Sequence, residues 1–117
     1  MNYHTVTNEK DDFIWSLILE HAGEEFLTAR KLPFTYHQKI SRTGEPLGEL
    51  IIDRKEKTIT RNSILLAYEN ALELMKAEGC VSGPKKLGIF GASYIYPVFL
   101  SLGICREEPM KQENSKS

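Results

Sequence analysis

Two cysteines and one tryptophan among 117 residues, with a net charge of −1, set aside several classes of protein at once. Cys80 and Cys105 are too few for a disulfide scaffold, and in a chain that is 41% hydrophobic they read as reduced thiols of a cytoplasmic protein. A charge near zero lacks the overall basic footprint of a strong nucleic-acid binder. His4, His21 and His37 stand in different elements without ligand spacing, which leaves no zinc site and implies no metal. There is no G-x-S-x-G and no outstanding Cys–His pair. "GIFGAS" has glycines, but neither the strand-then-GxGxxG setting of a dinucleotide site nor a following Walker lysine, so no cofactor is expected. The first thirty residues lack a basic start followed by an apolar stretch, so no secretory signal is read there.

Long apolar runs are also scarce. The single exception is "LGIFGASYIYPVFLSLGIC", Leu87 to Cys105, uncharged between Lys85-Lys86 and Arg106. Its length touches the lower edge of a membrane-spanning helix. Gly88, Gly91, Gly103 and Pro97 interrupt it, however, and serines and tyrosines dilute its hydropathy. Ile95, Val98, Phe99 and Leu102 fall at i, i+3, i+4 and i+7, the stripe of a helix packed on one side. The run is therefore expected to be core, not a membrane anchor.

The length and the 26% charged share suit one globular domain over 1–117, with an ordered core over 8–104 and a polar tail over 105–117. Asn8 is placed as the cap of a first helix ending near Gly23, with Phe13, Ile14, Leu17 and Ile18 inward and Trp15 at the rim. Alternation at Leu32, Phe34, Tyr36 and Ile40 predicts a strand. Gly44, Pro46 and Gly48 mark a turn, and Leu50–Asp53 returns as a hairpin partner. Phe26–Thr28 is expected as a third, edge strand. Thr60 should cap a helix over 62–78 that stops at Gly79. Gly83-Pro84 opens one short turn, and a helix over 93–102, capped by Ser93 and bent by Pro97, closes the fold. The fold class is α+β: an N-terminal helix, a two- or three-stranded antiparallel hairpin sheet, and C-terminal helices arranged like a helix-turn-helix.

"FTYHQK", "GELIIDRKEKTITRNSI" and "GPKKLGIFGASYIYPVFLSLG", in that order, resemble a group of small uncharacterised proteins of Gram-positive bacteria and their mobile elements. The likeness runs from about Trp15 to Ile104 and implies no activity. The hairpin, the "ITR" helix entry and the "GxSY"-type last helix also look like small DNA-binding modules attached to restriction systems, an analogy of fold only.

Charge is unevenly spread: residues 1–30 balance to −4 and residues 31–61 to +3. Within the basic part, Arg54, Lys55, Lys57 and Arg61 form a cluster that Lys85 and Lys86 join if the connector folds back. Such a cluster can track a phosphate backbone beside the N-terminus of the 62–78 helix, with Ser93, Tyr94 and Tyr96 reaching sugar or base edges. The bland alternative is a solvated turn neutralised by Asp53 and Glu56. The last helix offers no Arg, Asn or Gln, which favours backbone binding over sequence reading. Tyr94 and Tyr96 cannot share the apolar stripe, so at least one is expected at the surface beside Pro97, an anchor for a protein partner or a homodimer. Asp53-Arg54-Lys55 has the acid-x-Lys spacing of a Mg²⁺-dependent nuclease, with Glu49 or Glu45 as the second carboxylate, but the tripeptide is common. The expectation is a DNA- or RNA-binding accessory or regulatory module. The alternative is a protein-interaction module without enzymatic activity.

Overall fold

Residues 9–55 and 57–107 are described by a computed structural model of the chain. The ends of α2, Arg61–Glu78, follow directly from side-chain chemistry. Thr60 Oγ1 accepts the Ser63 N–H at 3.1 Å, and Gly79, left-handed at φ 78°, donates its N–H to the Met75 carbonyl at 2.9 Å. Both contacts occupy backbone groups that a helix end leaves open. Between the caps α2 buries Ile64, Ala67 and Ala71, a stripe of mostly small side chains against which α1 and the Pro84–Leu87 turn pack.

In α1, Glu9–Glu20, the expected inward face is corrected by about one residue. Ile14, Trp15 and Ile18 are buried, whereas Phe13 is 60% exposed. The indole has more surface to bury than a phenyl ring, and it meets the Arg61 guanidinium at 5.9 Å, itself held by Asp12 at 2.9 Å. The Asn8 cap lies outside the described residues. Gly23, where the chain leaves the helix, donates its N–H to the Tyr36 carbonyl at 2.9 Å, and the Tyr36 hydroxyl donates back to the Ile18 carbonyl. Burial, with the charge of Glu24, pushes the Tyr36 phenol up, so it stays a neutral donor.

Thr35 divides the expected 34–40 strand between two sheets. β1, Phe26–Leu27, pairs antiparallel with β2, Pro33–Phe34, so the anticipated edge strand belongs to a small sheet of its own. β3, Tyr36–Ile40, β4, Pro46–Ile52, and β5, Lys57–Thr60, form a second antiparallel sheet in that order. Tyr36 stands opposite Ile52, and Leu50 opposite Ile59. β5 is not among the expected strands: it falls within "DRKEKTITR", a stretch expected only as a basic cluster or a solvated turn. At the joint between the sheets, the Asp53 N–H bonds the Thr35 carbonyl at 3.0 Å and the Thr35 hydroxyl donates to the Asp53 carboxylate.

The uncharged run is core, with a different cap from the one expected. α3, Ala92–Ser101, starts at Gly91, left-handed at φ 85°, and Ser93 lies inside the helix. Ile95, Val98 and Phe99 have no exposed surface. Tyr94 and Tyr96 are each only 7% exposed, which corrects the expectation that one would reach solvent. The reason is that α3 is enclosed on two sides. Tyr94 packs edge-on against Phe34, ring centroids 5.1 Å apart at 76°, while the Tyr96 hydroxyl donates to the Val81 carbonyl. Among the described residues no helix is long and apolar enough to cross a membrane. The supposed tail also begins later than expected: the Val81 N–H bonds the Arg106 carbonyl at 2.8 Å and Cys105 is buried, which pushes its thiol up to about 11. Cys80 and Cys105 are both free and buried, and residues 108–117 lie outside the described ones.

Candidate functional site

Two turns from different sheets project beside the outer face of α3. One is the β1–β2 loop. The Thr28 N–H bonds the Leu32 carbonyl at 3.0 Å, the Lys31 N–H bonds the Thr28 carbonyl at 2.8 Å, and the Leu32 N–H bonds Thr28 Oγ1 at 3.1 Å. This is a tight turn closed by a left-handed residue, a position that suits glycine. Here it is Lys31 at φ 67°, the only non-glycine residue with positive φ among the described residues. The other turn, between β4 and β5, carries Arg54 and Lys55.

Between these turns and α3 lies a cleft of about 650 Å³. Its rim has four cations, Arg30, Lys31, Arg54 and Lys55, against one carboxylate, Glu107. All four are exposed, and among the described residues no ion pair engages any of them. The inner wall is the Ser93–Pro97–Leu100 face of α3 and the edges of Tyr94 and Tyr96. With both rings so deeply packed, the tyrosines form an apolar floor, and neither offers a whole face for stacking. A smaller cleft of about 390 Å³, bounded by Glu25, Thr35 and Asp53, lies on the other side of Arg54, which lines both.

The basic cluster expected from the sequence is divided. Arg54 and Lys55 reach the cleft with Ser93, Tyr94, Tyr96 and Pro97. Lys57 does not line it: its ammonium sits 4.2 Å from the centre of the Phe90 ring. Arg61 is held by Asp12 and Trp15. Lys85 and Lys86 are exposed on the Pro84–Leu87 turn, which gives the cleft only Pro84. Arg30 and Lys31 replace them, cations that sequence reasoning missed because "TARKLP" has no glycine to mark the turn. Asp53, the carboxylate of the acid-x-Lys spacing, is engaged by Thr35 and by His37 at 3.0 Å, and Glu49 faces Lys39 at 3.6 Å. Among the described residues no group of three or more His, Cys, Asp or Glu could hold a metal ion.

The backbone at Lys31 makes a measurable difference. Left-handed geometry costs a non-glycine residue about 1–2 kcal/mol, partly offset by the greater unfolded-state freedom of glycine. Lys31→Gly should therefore raise the unfolding free energy by about 0.5–1 kcal/mol in a urea titration. No gain would mean that the turn holds no strain.

No protein-family model, curated protein or solved structure matches the chain, so the geometry of the cleft carries the functional reading.

Proposed function

We propose that the chain is a small nucleic-acid-binding module, accessory or regulatory in role, that takes a single strand in the cleft between the two turns and α3. The observation that carries this is the pairing of Arg30 and Lys31 with Arg54 and Lys55 across one apolar-floored cleft. Phosphates sit at such a rim, and an unstacked base can enter the concavity, which a duplex cannot do without opening. α3 buries its stripe and has no Arg, Asn or Gln to read base edges, which supports backbone contact with little sequence preference. The resemblance of "GPKKLGIFGASYIYP" to proteins of mobile elements fits an accessory role, and two unpaired thiols fit a cytoplasmic setting. The reading assigns no catalytic step.

Fluorescence anisotropy with labelled single-stranded oligonucleotides tests it. Four phosphate contacts should make the logarithm of affinity fall with the logarithm of salt at a slope of about −3, roughly fiftyfold between 50 and 200 mM. No binding at low salt would overturn the proposal.

A second reading, a protein partner or a homodimer, is favoured by Leu27 and Leu32, 47% and 38% exposed at the lip of the cleft. An acidic peptide that binds where oligonucleotides do not, or a concentration-dependent dimer in sedimentation, would move the assignment there.

A further inference from the structure

Pro97 lies inside α3, where its nitrogen has no hydrogen to give. The carbonyl it would have bonded, four residues back, is that of Ser93. Ser93, Pro97 and Leu100 all line the cleft, so the gap in the hydrogen-bond ladder falls on the stripe of α3 that faces the bound strand. The cleft thus joins a cationic rim to a backbone acceptor without its helical donor. Phosphate has no donor at neutral pH that suits such an acceptor. In a single strand, the one donor attached to every nucleotide whatever its base, and adjacent to the phosphate, is the ribose 2′-hydroxyl.

We infer that the cleft prefers RNA to DNA, through a hydrogen bond from a ribose 2′-hydroxyl to the Ser93 carbonyl left open by Pro97. This rests on the single-strand reading above and adds the sugar to it. An acceptor in a partly enclosed cleft gains from a donor and loses when desolvated without one, so the discrimination has both an attractive and a repulsive part.

The test compares oligouridylate with oligodeoxyuridylate of equal length, which differ only at the 2′ position, together with the 2′-O-methyl form, which keeps the oxygen but cannot donate. The RNA should bind about fivefold tighter than the other two, the worth of one net hydrogen bond. Pro97→Ala restores a backbone N–H at position 97 and favours the helix, so it should fold, and the RNA-to-DNA ratio should fall toward one. Equal affinities in the wild type, or a ratio unchanged in Pro97→Ala, would overturn the preference and leave the single-strand reading standing. No binding of any of the three would overturn both.

Discussion

Gly91→Ala is expected to lower the unfolding free energy by about 3 kcal/mol, the largest loss foreseen for the addition of a single methyl group. Two effects act together. The residue is left-handed at φ 85°, and a Cβ built there would lie 2.6 Å from Ile59 Cδ1 and 2.9 Å from Ile59 Cγ1. Ile59 is only 2% exposed in the middle of β5, opposite Leu50, and has little space to retreat. Gly79→Ala separates the two effects. Its φ is 78°, with nothing within 4 Å of a new Cβ, so only the conformational part, about 1 kcal/mol, applies. Urea denaturation of both variants gives the difference. Equal losses would show that the approach of α3 to β5 is looser than described. A loss at Gly91 partly recovered by adding Ile59→Val would locate the strain at that contact.

The double variant Arg54→Ala, Lys55→Ala should weaken single-strand binding about a hundredfold at low salt. Both side chains are exposed on a turn, so stability should move little. The salt slope is the sharper measure: removal of two of four phosphate contacts should take it from about −3 to about −1.4. Lys57→Ala also removes a cation from the same stretch of sequence, but one that sits against Phe90 and not in the cleft. It should leave the slope near that of the parent. Equal effects at the two places would mean that the strand follows charge density along the chain and not the cleft.

Why one part of this site was readable in the sequence and another was not comes down to how local the determining contacts are. The limits of α2 were legible because Thr60 and Gly79 act on backbone groups within four residues. The burial of the 87–105 run was legible because Ile95, Val98 and Phe99 keep helical spacing. β5 was hidden because only Ile59 of Lys57–Thr60 turns inward, too little to show a period amid charges. Tyr94 and Tyr96 misled because a helix wheel assumes one packing surface, whereas α3 meets Phe34 on one side and Val81 on another. The division of the basic cluster depends on non-local partners, Asp12 and Trp15 for Arg61, which no spacing rule connects across so long a stretch of chain. Arg30 and Lys31 enter the site only once β1 has paired with β2.

The Thr35–Asp53 joint has a consequence for ligand geometry. It ties the far end of β2, the strand that leaves the Arg30–Lys31 loop, to the root of the turn that carries Arg54 and Lys55, through a backbone and a side-chain hydrogen bond within a single pair of residues. The two cation-bearing turns are therefore coupled, as the arms of a caliper are, and the pivot is one threonine. For the proposed single strand, the interval between phosphates held at once would be gauged at Thr35, a residue that lies outside the cleft itself.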